Sequence, residues 1–124
     1  MELNEPDNRF YVKESTIPGA GVGCFARLPL RAGDCLEVVG VLVRPGSAAD
    51  RCTAYADHYK FRHAGLLLIP VGFAALVNHS TTPNLEKHER DGKLFLRALR
   101  DIAVDEELFL TYSEFAQQLM GLPR

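Results

Sequence analysis

Asn78, His79 and Ser80 place three hydrogen-bonding side chains in a row directly after an apolar run, Leu66 to Val77, and Pro83-Asn84 follows shortly after. Buried polar groups must find partners. Such a cluster at the end of a buried run therefore suits a loop held close to the core and facing a ligand. The same residue types also build ordinary turns, so the loop alone leaves both readings open. Upstream, Ile17 to Ala26 carries glycines at 19, 21 and 23. That density permits positive φ and lets the backbone approach another group closely. The spacing is G-x-G-x-G and no amphipathic helix follows, so a dinucleotide-binding fingerprint is a poor reading. Downstream, Tyr112 ends a short apolar run after Asp105-Glu106-Glu107. A lone tyrosine at a strand end usually closes the core.

These three stretches have to be positioned by short elements. Arg9 to Glu14 alternates as a strand, with Phe10 and Val12 on one side. Cys35 to Arg44 is Val- and Leu-rich and stops at Pro45-Gly46, which reads as a second strand. Ser47 to Tyr59 holds a short helix or an irregular insert. Leu66 to Pro70 is a buried strand, while Val71 to Val77 is ambiguous between helix and strand. Leu85 to Arg90 and Lys93 to Ala98 flank Asp91-Gly92, a strong hairpin signal. Leu108 to Tyr112 is the last strand. Ser113 then caps a short helix whose apolar side holds Phe115, Leu119 and Met120, with Gly121 as the stop. Many short strands, frequent turns and little helix predict a mainly β domain.

A chain of 124 residues with 47% hydrophobic and 24% charged content is an ordinary single globular domain. Residues 1–8 read as a loose polar start, 9–124 as one domain, and 113–124 as its helical tail. The net charge of −2, without a Lys/Arg cluster, argues against a nucleic-acid partner. Three separated cysteines argue against a metal site or a disulfide framework and favour a reducing, cytoplasmic location. The apolar runs are too short to span a membrane. The acidic run Asp105–Glu107 and Glu86 either attract a basic peptide or form a solvated face.

Three separated pieces resemble one family in the right order. Gly21-Val22-Gly23-Cys24-Phe25-Ala26 resembles the G-x-G-[VL]-F-A opening of the SET domain. Asn78-His79-Ser80-x-x-Pro83-Asn84 resembles its N-H-S-x-x-P-N motif, and Arg100-Asp101-Ile102 through Glu106-Glu107-Leu108 to Tyr112 resembles its R-D-I-x-x-G-E-E-[LI]-T-x-x-Y ending. The chain looks like a minimal member, of the kind found in bacteria or viruses. The resemblance implies a fold of several small curved β-sheets (β-clip-like), with a threaded C-terminal segment and a short C-terminal helix. It also implies methyl transfer from S-adenosylmethionine to a lysine amine of a protein or peptide. A SET-like module that binds a peptide or the cofactor without turnover is the alternative.

On that resemblance Ala20, Gly21, Val22 and Gly23 offer main-chain groups to the cofactor. A larger Cβ at Gly21 or Gly23 would hinder this approach. Asn78 and His79 bond the cofactor's polar groups, or His79 is a satisfied core histidine. Tyr112 touches the cofactor and is the catalytic residue where the methyl meets the lysine channel. The family's strand often carries a Tyr where this chain has Val38, so that hydroxyl is missing or Tyr59 supplies it. Tyr59 and Phe61 are then channel walls, against plain core packing. Thr81 replaces a cysteine that ligates zinc only alongside a C-terminal cysteine cluster, and no metal is expected. The tail's Phe115, Leu119 and Met120 either cover the site or contact a second copy in a homodimer.

Overall fold

The Asp91-Gly92 turn sets the largest hairpin. Both residues take positive φ, 53° and 75°, and join two six-residue strands in unbroken antiparallel register from Leu85↔Ala98 to Arg90↔Lys93. This is the paired left-handed geometry that matches the twist of a two-residue hairpin. The second strand alternates with period two: Leu94, Leu96 and Ala98 are buried, and Lys93, Phe95 and Arg97 are not. One face of the hairpin is thereby committed to the core.

The computed structural model describes residues 7–121. In chain order the strands and helices are β1 (Phe10–Glu14), β2 (Val22–Ala26), β3 (Cys35–Glu37), β4 (Gly40–Val43), α1 (Ala48–Cys52), β5 (Phe61–His63), β6 (Leu66–Pro70), β7 (Asn78–His79), β8 (Leu85–Arg90), β9 (Lys93–Ala98), β10 (Phe109–Leu110) and α2 (Glu114–Met120). They form two three-stranded sheets, β3-β9-β8 and β4-β6-β5, and two pairs, antiparallel β1-β2 and parallel β7-β10. The architecture is mainly β in several small sheets with a short C-terminal helix, as expected.

The strand expected over 35–44 is split, because the chain passes from one sheet to the other. Val38 N–H donates to Leu94 O, whereas Val39 O accepts from Val71 N–H. Gly40 then lies so close to the Ile69 carbonyl that a Cβ there would collide with backbone. The ambiguous 71–77 stretch is a 3-10 turn, Phe73–Ala75, and 47–59 holds α1 and a second 3-10 turn, Ala54–Ala56. The last strand is shorter than expected, because its parallel partner has only two residues.

The main core gathers Cys24, Leu36, Val77, Leu85, Leu94, Leu96, Ile102 and Leu108 among others. A smaller cluster of Val43, Ala56 and Ile69, with Tyr59 against it, sits under the 45–62 insert. Ser113 caps α2 by accepting from Ala116 N–H, and Gly121 ends it at φ 66°. The helix's larger apolar side chains do not turn inward. Ala116 is buried, while Phe115, Leu119 and Met120 are 59, 54 and 43% exposed. The loose start expected for 1–8 lies mostly outside the described residues. Asp7 itself is bonded to Arg9, which in turn donates to Cys35 O.

Candidate active site

One carboxylate joins the three sequence motifs. Glu107, 4% exposed, accepts from Ser15 Oγ (2.8 Å to Oε2), Thr16 N–H (2.8 Å), Thr16 Oγ1 (2.6 Å) and Asn78 Nδ2 (3.2 Å). Asn78 Nδ2 also donates to Val22 O at 3.0 Å. The loop that begins at Ser15 closes on itself where Ser15 N–H donates to Gly21 O (2.8 Å). Burial pushes the Glu107 carboxyl upward, but the donors from Thr16, Asn78 and Ser15 outweigh it and hold its pKa below the ordinary 4.5.

The sequence does not single out Glu107 within the acidic run, which reads as a solvated face or a lure for basic peptides. The structure departs from that reading at Glu107, while Asp105 stays exposed. Glu107 turns inward, Asp105 accepts from Tyr11 Oη, Glu106 pairs with Arg100, and Glu86 pairs with Arg97. The available signal was the apolar Leu108-Phe109-Leu110 that follows Glu107 at once and draws it into the core.

The glycines divide into two cases. At Gly21 a Cβ would meet nothing within 4 Å, and φ of +76° is the constraint. At Gly23 a Cβ would stand 3.0 Å from Glu107 Cδ, 3.1 Å from Asn78 Nδ2 and closer still to Glu107 Oε2. Crowding at Gly23 thus comes from the chain's own carboxylate. Ala20, Gly21 and Val22 are exposed, and Gly23 is buried.

Asn78 and His79 form β7, a strand and not a loop, parallel to Phe109–Leu110. Asn84, 1% exposed, locks the neighbouring segment: its Nδ2 donates to Glu107 O (2.8 Å) and its Oδ1 accepts from Phe109 N–H (2.7 Å). Tyr112 N–H donates to His79 Nδ1 at 3.0 Å, and the two rings lie 5.3 Å apart. A neutral His79 therefore carries its proton on Nε2, which is buried and has no partner. Burial also lowers the His79 pKa below the ordinary 6.5. The Tyr112 hydroxyl donates to Val77 O at 2.7 Å, and burial pushes its pKa up to about 12, so it stays a neutral phenol.

A groove of about 770 Å³ opens beside Tyr112. Its walls are the 45–62 insert, including Tyr59 and Phe61, the segment Leu85–Lys87, and the C-terminal residues Leu110–Ser113 with Phe115 and Ala116. The structure thus brings Tyr59 and Tyr112 to one groove. Ala20–Gly23, Asn78 and His79 are not among its lining residues. Val38 is buried in the main core, away from that groove. On the insert, Lys60 Nζ is held by Asp57 (2.6 Å) and Asp50 (2.7 Å), with its side chain only 3% exposed. Among the described residues no cluster of His, Cys, Asp and Glu is arranged to hold a metal, and no helix is long and apolar enough to cross a membrane.

Comparison with known proteins gives a consistent picture. The family model for the SET domain matches residues 21–113. The histone-lysine N-methyltransferase ATX2 of Arabidopsis thaliana is 36% identical over 111 aligned positions, covering 77% of this chain and 10% of that protein. The chain thus spans about a tenth of the length of the curated relatives it matches. Among solved structures, ctPRC2 in an autoinhibited conformation bound to S-adenosylmethionine superposes with a TM-score of 0.71 at 19% identity, covering 90% of this chain and 16% of that one. A humanized mutant of the Chaetomium thermophilum Polycomb Repressive Complex 2, bound to the inhibitor GSK126, gives 0.68 at 20%, covering 82% and 14%.

Proposed function

The chain belongs to the SET-domain family, and from that membership we propose that it moves a methyl group from S-adenosylmethionine to a lysine side-chain amine of a protein. The observation that carries the proposal is the convergence on Glu107 and Tyr112. The glycine loop and Asn78-His79 are tied by direct hydrogen bonds to Glu107 and Tyr112, which flank β10, and Tyr112 also lines the groove.

The residues fit the cofactor. His79 offers a buried Nε2–H that lacks a partner, and an unmet buried donor is costly unless a ligand accepts from it. Ala20, Gly21 and Val22 are exposed, with open space outside Gly21, and Val22 O is tied to the neighbouring Asn78. We assign Ala20–Gly23, Asn78, His79 and Tyr112 to holding the donor. Bound there, S-adenosylmethionine supplies an electrophilic methyl: the amine lone pair takes it, and the pair of the broken carbon–sulfur bond stays on sulfur.

The protein's own part is alignment. Tyr112, its proton engaged by Val77 O, presents hydroxyl lone pairs to whatever polar group enters the groove. Tyr59 and Phe61 wall the groove so that a lysine stem is desolvated, which favours the neutral amine the reaction needs. After transfer the methylated ammonium gives one proton to water. Phe115 and Ala116 line the same groove, which supports a covering role for the tail. The exposed Leu119 and Met120 are the side chains a second copy would cover in a homodimer. The odd cysteine count supports a cytoplasmic setting.

Binding without turnover is a second reading, motivated by Val38, which brings no hydroxyl and is buried in the core. Purified protein with radiolabelled cofactor and lysine-rich peptides or a lysate separates the two. Label in a protein band, mapped to methyl-lysine by mass spectrometry, supports transfer. Saturable cofactor binding with no label in any acceptor supports the binding module, and no cofactor binding refutes methyl transfer and the cofactor-binding form of the second reading.

A further inference from the structure

Glu107 is a buried anion whose hydrogen-bond donors are all neutral. Its hydrogen bonds come from a serine and a threonine hydroxyl, one main-chain N–H and one amide. Among the described residues no Lys, Arg or His stands within ion-pair distance of it. A carboxylate so placed keeps its full charge, and its field is not cancelled locally. It lies directly behind Gly23 and in contact with Asn78, two of the positions assigned to the methyl donor.

We propose that Glu107 is the positioning residue that also makes this site prefer a cationic methyl donor over its uncharged-sulfur product. The inference rests on the methyl-donor reading above and adds to it a source of selectivity. The donor and its product differ by one positive charge, at sulfur. A fixed anion behind the glycine loop attracts the first and is indifferent to the second at that atom. At an effective dielectric of about 20, one such charge felt across roughly 10 Å is worth on the order of tenfold in affinity. The same carboxylate sets the geometry, since it bonds the root of the glycine loop and Asn78 at once. Scaffold and charge must therefore be tested separately.

The test is calorimetric titration of the full chain with S-adenosylmethionine and with S-adenosylhomocysteine, for wild type, Glu107→Gln and Glu107→Asp. Gln keeps the length and removes the charge, and Asp keeps the charge and disturbs the hydrogen bonds. The expected result is a donor-to-product preference reduced about tenfold in Glu107→Gln and kept within about twofold in Glu107→Asp. Equal weakening of both ligands by Glu107→Gln would show a scaffold role only and overturn the inference, leaving the methyl-donor reading intact. Binding of neither ligand by wild type overturns both. Should Glu107→Gln not fold by circular dichroism, Glu107→Asp and Glu107→Asn decide, since they share a length and differ in charge: a donor-to-product preference about tenfold lower in Asn than in Asp supports the charge role, and equal preferences remove it.

Discussion

Gly23→Ala and Gly21→Ala add the same methyl group two residues apart and should behave very differently. At Gly23 the new Cβ falls 3.0 Å from Glu107 Cδ and nearer to Oε2, which is itself held by Ser15 Oγ at 2.8 Å and Asn78 Nδ2 at 3.2 Å. The carboxylate cannot swing away without giving up bonds to a charged acceptor. Overpacking with partial loss of those bonds costs about 2–4 kcal/mol. That corresponds to a fall in Tm of roughly 8–15 °C for a domain of this size. At Gly21 the methyl meets nothing within 4 Å, and only the left-handed φ of +76° is strained, at about 1 kcal/mol. Urea unfolding followed by circular dichroism measures both. The decisive set is a double-mutant cycle of Gly23→Ala with Glu107→Ala. Once the carboxylate is gone only Asn78 Nδ2, at 3.1 Å, still crowds the methyl and needs to give by a few tenths of an ångström, so Gly23→Ala should cost less than about 1 kcal/mol in that background, a coupling near 2 kcal/mol. Additive costs, or a larger penalty at Gly21 than at Gly23, would refute the view that Gly23 is there to make room for Glu107.

Tyr112→Phe should lower turnover by at least about tenfold while changing cofactor affinity by no more than about threefold. Unchanged turnover would take Tyr112 out of its assigned role. Asn84→Ala leaves Phe109 N–H and Glu107 C=O unmet in a buried place and should cost about 2–3 kcal/mol in the same urea assay; a loss under half of that would mean the parallel pair does not depend on this side chain. His79 is held neutral by burial, so its folded pKa lies below 6.5 and the unfolded chain binds the extra proton first. Its contribution is complete above pH 6.5 and is lost as pH falls from there through the folded value. Stability measured by urea between pH 7.5 and 5 should decline in wild type and decline less in His79→Gln; parallel slopes would exclude His79 as the source.

The glycine loop, Asn78-His79 and the run to Tyr112 were legible in the sequence because each is a local signal. Glycine density, a polar triplet after an apolar run and an acidic turn before a strand can be read without knowing the fold. The Asp91-Gly92 hairpin and the Ser113–Gly121 helix were legible for the same reason, since turn and cap chemistry acts over a few residues. Three things were decided only by tertiary contacts. Glu107 and Gly23 belong together because residues 84 positions apart meet across β2, a contact that local pattern does not encode. Tyr59 and Tyr112 share a groove because the insert packs on its own small core and is held by the buried Lys60 ion pairs. Phe115, Leu119 and Met120, apolar at helical spacing, point largely to solvent, because periodicity marks a face but not what covers it. The sequence alone determined which residue types were available for chemistry. The tertiary structure decided which carboxylate turns inward, because only packing fixes which side of a strand loses its water.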